Sequence, residues 1–322
     1  MGELYLKLPA LKIGNLNPKY PIVQGGMAVR ISTAPLAAAV ANAGGIGIIA
    51  ATGMSTEELR EEIRWARAHS QGIIGINIMF AAREFKQLVF AALDEGIDLI
   101  IQGAGFSRDI FTWCQEADTP FVSIVSTGKL AKLAEKLGAS AVVVEGKEAG
   151  GHLGTTQSLR EILPEVRDSV SIPIIAAGGI MTAQDMAEVF ELGANGVQMG
   201  IRFAASVESN AAANLKEFYV KAKKEDIVII ESPVGLPGRA LKNNFTEKIL
   251  KGYPPKKCAA CLKQCKKNFC IMDALINAQQ GNLDEGLIFS GEYIDQINEI
   301  LPAGEIIRKL VENFENIQRE VE

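Results

Sequence analysis

The sequence predicts an α/β chain whose larger part is a parallel (β/α)8 TIM barrel, followed by a C-terminal, partly helical, Cys-containing segment. Eight short apolar runs recur along the first two thirds of the chain. Segments of helical period separate them, and glycine or small polar residues close most of the runs. Strands covered on both faces read as continuous apolar runs, so strand and helix alternating eight times point to a closed parallel barrel. A doubly wound open sheet is the alternative; near-even spacing and the count of eight favour closure.

The first run, residues 21–27, ends in Gln24-Gly25-Gly26-Met27. The second, 45–51, lies inside a longer uncharged stretch, 34–52, which is rich in Ala and Gly and interrupted by Pro35, Asn42 and Gly44-Gly45. Those interruptions predict a tightly packed helix and a buried strand rather than a membrane span. Ser55-Thr56-Glu57-Glu58 has the form of a capping box and starts a helix over 55–69. Runs 72–80, 98–103, 120–126 and 141–145 follow, with a helix over 129–137; runs 173–177 and 196–200 flank a helix over 182–192. A helix over 209–223 is expected as the eighth of the barrel, and a charged amphipathic helix near 303–320 closes the chain. Two prolines and two glycines within 231–239 predict a shaped loop covering the mouth. The domain reading is therefore a barrel over 1–225, a lid loop and Cys-rich module over 226–285, and a C-terminal helical segment over 286–322 that packs back on the barrel.

A net charge of −5, from 38 acidic and 33 basic residues, offers no long-range attraction to polyphosphate, which argues against nucleic acid as a partner. The N-terminus lacks the basic lead and apolar body of a secretion signal, and Leu6 stands where a myristoylation site wants Ser or Thr. A cytoplasmic protein without membrane contact is expected.

The active site of such a barrel forms at the C-terminal ends of its strands. The sixth run passes directly into Gly150-Gly151-His152, which holds one of only two histidines in the chain. Glycines let backbone approach a flat or phosphorylated ligand, and an imidazole exchanges protons near neutral pH, so His152 is the expected acid/base. Runs seven and eight end in Gly178-Gly179 and Gly200-Ile201, the loops where such barrels frequently bind phosphate. His69 reads as a favourable charge near a helix C-terminus, Cys114 as a buried helical thiol, and Trp65 and Trp113 as helix packing.

Cys258, Cys261, Cys265 and Cys270 fall within thirteen residues. If 258–265 is helical, spacings of three and four put the first three thiols on one face, which is metal-ligand geometry. Lys256, Lys257, Lys263, Lys266 and Lys267 crowd them and are expected to lower their pKa values. Zn and a [4Fe-4S] cluster both suit four thiolates; disulfides or free thiols are the alternatives.

Six segments together resemble the nitronate monooxygenase (2-nitropropane dioxygenase) family, which includes the FMN-dependent enoyl-acyl-carrier-protein (enoyl-ACP) reductase of the second type. They are Pro21-Ile-Val-Gln-Gly-Gly-Met-Ala28, Gly44-Gly-Ile-Gly-Ile-Ile49, Gly75-Ile-Asn-Ile-Met79, Glu145-Gly-Lys-Glu-Ala-Gly-Gly-His-Leu-Gly154, Ala176-Ala-Gly-Gly-Ile180 and Gln198-Met-Gly-Ile-Arg-Phe203. The resemblance implies FMN across the mouth, its phosphate on the backbone of Gly178, Gly179, Gly200 and Ile201, with Gln198 beside it. Gln24, Gly25, Met27, Asn77, Glu145, Gly150 and Gly151 match positions near the flavin, and His152 matches the family's catalytic histidine. Ile201 stands where the family usually has threonine, and Gly25-Gly26 before Met27 looks like the reductase branch. The better-known members of both branches lack the cysteine module, but residues 286–292 resemble their C-terminal motif near the flavin.

The reading is an FMN-dependent oxidoreductase of alkyl nitronates or a related small acidic carbon substrate. The alternative is an NAD(P)H-dependent enoyl-thioester reductase, whose partner would be acyl carrier protein; assembly stays open, a homodimer included. A flavin-free lyase or isomerase of a phosphorylated metabolite, recruiting Glu145 and Lys147, and a non-enzymatic metal-bearing interaction protein complete the alternatives.

Overall fold

The computed structural model describes residues 7–27, 29–103, 105–252 and 258–319. Eight parallel strands close into a barrel: β1 (Ile22–Gln24), β2 (Ile46–Ala50), β3 (Ile73–Met79), β4 (Leu99–Gly103), β5 (Phe121–Val125), β6 (Ala141–Glu145), β8 (Ile174–Ala177) and β9 (Gly196–Met199). Helices lie between consecutive strands, so the predicted fold class is the observed one. The remaining strands, β7 (Gly151–His152), β10 (Ile227–Glu231) and β11 (Pro237–Leu241), form a separate antiparallel sheet in the order β10-β11-β7.

Both faces of the barrel strands are buried, which is why they read as unbroken apolar runs. In β6, Ala141 and Val143 belong to the interior cluster with Ile46, Ile48 and Ile101, while Val142 and Val144 belong to the layer beneath the helices. Leu11 and Ile13 join the interior cluster from the N-terminal segment. The uncharged stretch 34–52 is the helix Ala34–Asn42 laid directly on β2. A Cβ at Gly47 would stand 1.9 Å from the carbonyl oxygen of Ala37, so only glycine permits that contact. Among the described residues no helix is long and apolar enough to cross a membrane.

The eighth helix is not the one expected. Helix Ala303–Arg319 packs between Ala34–Asn42 and Ala183–Glu191, and Phe314 meets Phe190 edge-on at 5.7 Å. Its Ile306, Ile307, Leu310, Val311 and Phe314 join the barrel-wall core. The stretch 209–223 instead forms Ala213–Lys221, which buries Leu215 and Tyr219 in a second cluster with Ala278, Ile288 and Ile294. A stripe at i, i+1, i+4, i+5 and i+8 covers a wall position that two buried side chains cannot.

The expected loop over 231–239 is also different. Ile227–Glu231 and Pro237–Leu241 pair as a hairpin, closed by bonds from Ser232 N to Leu236 O (3.0 Å) and from Gly235 N to Ser232 O (2.9 Å). The β-branched run Ile227-Val-Ile-Ile230 supplies the first strand, and Pro237 opens the second, where no strand N–H is required of it. β11 then pairs with β7, setting Gly238 opposite His152 and Arg239 opposite Gly151.

Candidate active site

A cavity of about 280 Å3 opens at the C-terminal ends of the barrel strands. The expected residues Gly25, Met27, Asn77, Glu145, Gly150, Gly151, His152, Gly178, Gly179, Gln198, Gly200 and Ile201 all line it. Gln24 does not. Its side chain is fully buried beside the cavity, where Nε2 donates to Ser32 Oγ (3.1 Å) and Oε1 accepts from Ile48 N (3.0 Å). Ser32 Oγ also accepts from Met27 N (2.9 Å), so this pair shapes the loop that carries Gly25 and Met27.

The paired glycines before His152 have separate reasons. A Cβ at Gly150 would lie 2.6 Å from the carbonyl carbon of Ser290, and Gly151 has φ +77°. The first lets the C-terminal segment rest on the loop; the second turns the chain so that β7 can pair with β11. Arg239 fixes the same loop, its Nη1 donating to the carbonyls of Ala149 (2.8 Å) and Lys147.

His152 Nε2 lies 2.8 Å from Ser232 Oγ, and its ring meets Phe289 edge-on at 5.2 Å. Burial pushes its pKa down to about 4, so the imidazole is neutral at pH 7. Burial acts oppositely on Glu145 at the end of β6, pushing its carboxyl up to about 7. Lys147 is exposed and outside the cavity lining, which removes it from the recruitment that a lyase reading required.

The glycines at 178 and 179 have φ +101° and +67°, a turn that L side chains disfavour. None of the described residues accepts a backbone hydrogen bond from the N–H of either. Gln198 Oε1 is buried with no hydrogen-bond partner, although Gln198 lines the cavity. A buried acceptor and main-chain donors without partners are features that a bound polar ligand would complete.

Four residues escaped the sequence reading as site groups: Ser232, Arg239, Phe289 and Tyr293. Phe289 falls within the 286–292 motif, and Ser232 and Arg239 are, with Glu231, the polar residues of an otherwise apolar, Pro- and Gly-rich loop, which was the available signal.

The structure does not show the expected metal centre. Among the described residues no group of three or more His, Cys, Asp or Glu could hold a metal ion. Residues 258–270 are not helical, so the spacing does not place the first three thiols on one helix face. Cys258, Cys261, Cys265 and Cys270 instead line a hollow of about 250 Å3 at different levels of exposure. Cys258 Sγ accepts from Ala260 N (3.4 Å) and Cys265 Sγ from Lys267 N (3.3 Å). Burial pushes Cys261 up to about 11 and raises Cys270, against the lowering expected from the lysines. Lys263 lies over the Phe80 ring at 3.8 Å and Lys266 pairs with Glu231 at 3.7 Å; Lys256 and Lys257 are outside the described residues. Cys114 is buried in its helix, as expected, and burial pushes it up to about 12.

The sequence model of the nitronate monooxygenase family matches residues 10–87 and 74–313. A probable nitronate monooxygenase of Staphylococcus aureus (strain JH9) is 31% identical over 282 residues, covering 73% of this chain and 78% of its own. A protein of Mycobacterium tuberculosis (strain ATCC 25618 / H37Rv), named (3aS,4S,5R,7aS)-5-hydroxy-7a-methyl-1-oxo-octahydro-1H-indene-4-carboxyl-CoA dehydrogenase, is 31% identical over 252 residues, 77% of this chain and 70% of its own. Among solved structures, FabK from Thermotoga maritima superposes with a TM-score of 0.84 at 33% identity, covering 94% of this chain and 95% of that one. With its barrel, its cavity at the strand ends and a family match along most of its length, the chain belongs to the nitronate monooxygenase family of oxidoreductases.

Proposed function

We propose that the protein is an FMN-dependent oxidoreductase that oxidises alkyl nitronates or a related small acidic carbon substrate, with His152 as acid/base. The single observation that carries this is the strand-end cavity lined together by a neutral His152, a glycine turn and Gln198, whose Oε1 has no partner. The residues present fit FMN. The main chain of Gly178, Gly179, Gly200 and Ile201 would hold its phosphate, and Gln198, Asn77, Glu145, Met27, Gly25, Gly150 and Gly151 would surround its ring. When bound, FMN supplies hydride or electron exchange at its N5.

The protein's own part is proton handling and enclosure. A histidine that is neutral at pH 7 is free to accept a proton from an acidic carbon at its bare nitrogen, without first releasing one to solvent, and to return that proton once it is protonated. Phe289 and Tyr293 line the cavity from the C-terminal segment, and Phe289, edge-on to the imidazole, would limit the access of water to His152. With Ile201 at the threonine position, the phosphate would be held there by main-chain donors alone.

The second reading is an NAD(P)H-dependent reductase of enoyl thioesters, with acyl carrier protein as partner. It is favoured by the near full-length likeness to FabK and by the thioester in the mycobacterial relative's name. Denaturing the native protein and analysing the supernatant for FMN tests the flavin; absence of FMN, together with failure of added FMN to bind, sinks the proposal. Anaerobic mixing then separates the two readings. Bleaching by an alkyl nitronate with turnover in air is expected, whereas rapid bleaching by NAD(P)H alone would establish the reductase.

A further inference from the structure

Ser232 sits at the tip of the β10–β11 hairpin and is fully buried. Among the described residues its hydroxyl is the hydrogen-bond partner of the His152 ring, at 2.8 Å from Nε2. That hydroxyl already accepts from Val234 N (3.4 Å). A hydroxyl has one proton to give, and a buried one needs an acceptor; here the acceptor in reach is Nε2. The neutral ring then carries its own proton on Nδ1, the nitrogen for which no protein partner stands among the described residues.

We infer that Ser232 is a positioning residue that fixes His152 as the Nδ1–H tautomer, and that the cysteine-bearing segment 258–270 braces the hairpin that holds it. Both neighbours of Ser232 are tied to that segment: Lys266 N donates to Pro233 O (2.9 Å), and Asn268 Nδ2 donates to Glu231 O (2.7 Å). The segment is tied in turn to the loop after β3, where Arg83 N donates to Cys261 O (3.0 Å) and Lys263 N to Ala81 O (2.9 Å). Phe289 closes on the ring edge-on, so the imidazole is held at one nitrogen and against an aromatic wall. Ser232 therefore sets which ring nitrogen carries the proton and which is left bare as a base, and the segment keeps Ser232 in register with the barrel. This gives the cysteine segment a mechanical role that requires no metal.

The catalytic consequence rests on the proton-transfer role proposed for His152, but the tautomer does not. The chain has two histidines, so 15N-histidine labelling with His69→Gln leaves a single ring to observe. At pH 7 the wild-type ring is expected to show Nδ1 protonated and Nε2 bare. Ser232→Ala should give a mixture of tautomers, Ser232→Thr should restore the wild-type pattern, and Asn268→Ala should shift it part of the way. A wild-type ring protonated on Nε2, or a Ser232→Ala ring with the wild-type tautomer, overturns the inference, and the wild-type spectrum decides even if a variant fails to fold. In turnover, Ser232→Ala should lower kcat about tenfold or more with a smaller change in KM, and alter the pH profile. Redistributed tautomers with unchanged kcat would confirm the positioning and remove His152 from the chemistry.

Discussion

Gly150 rests against the main chain of Ser290 so closely that an added Cβ would stand 2.6 Å from the Ser290 carbonyl carbon and 2.9 Å from Gly291 N. The loop bearing His152 and the C-terminal segment over the mouth are thus in backbone contact. Neither backbone can give way by rotating a side chain. Gly150→Ala is expected to push residues 289–293 off the mouth, at a cost of about 1–3 kcal/mol in stability. Thermal melts and an FMN fluorescence titration check this, with binding weakened by roughly tenfold for each 1.4 kcal/mol that falls on the bound state.

His152→Ala should keep the yellow colour and lose most turnover. Acid–base catalysis contributes on the order of 10²–10⁴ in rate, and the flavin contacts assigned here do not pass through the imidazole. Steady-state rates set beside the flavin absorbance of the same sample test it; unchanged turnover removes the acid/base role.

Glu145 and His152 should give opposite pH dependences of stability. The Glu145 carboxyl is raised to about 7 from 4.5, so the folded state holds its proton longer and stability falls as pH rises through that window. His152 is lowered to about 4 from 6.5, so the unfolded state takes up a proton first and stability falls as pH drops through the window. The two slopes largely cancel in the apo protein. Each amounts to at most about 1.4 kcal/mol per pH unit. Glu145→Gln should therefore leave stability rising from pH 4 to 6.5, and His152→Ala should leave it falling from pH 4.5 to 7. Melts across pH 4–8 that leave both slopes flat would contradict the assignment.

Phe314→Ala tests the placement of the last helix. Phe314 is 1% exposed and belongs to the barrel-wall core, so truncation should cost about 3–5 kcal/mol in urea unfolding. A loss below 1 kcal/mol would show that Ala303–Arg319 is an appendage and not the eighth helix.

The sequence by itself determined the barrel and most of its mouth. Apolar runs such as 141–145 and the glycines that follow them report local requirements, burial on both faces and tight turns, and local requirements are written in neighbouring residues. His152 and Gly178-Gly179 were legible for that reason, and Gln198 through the family resemblance. Only the tertiary structure decided which helix closes the wall, that Gln24 lies beside the cavity and not in its lining, and that the four cysteines lie on an irregular segment. Helical spacing implies one face only where the backbone is helical, and along 258–270 left-handed turns at Ala260 and Lys267 break it. The His152–Ser232 pair spans 80 residues, and Ala303–Arg319 packs against a helix near the other end of the chain. Such partners are chosen by closure of the barrel and by competition for its last uncovered wall, and no local pattern of residues encodes that choice.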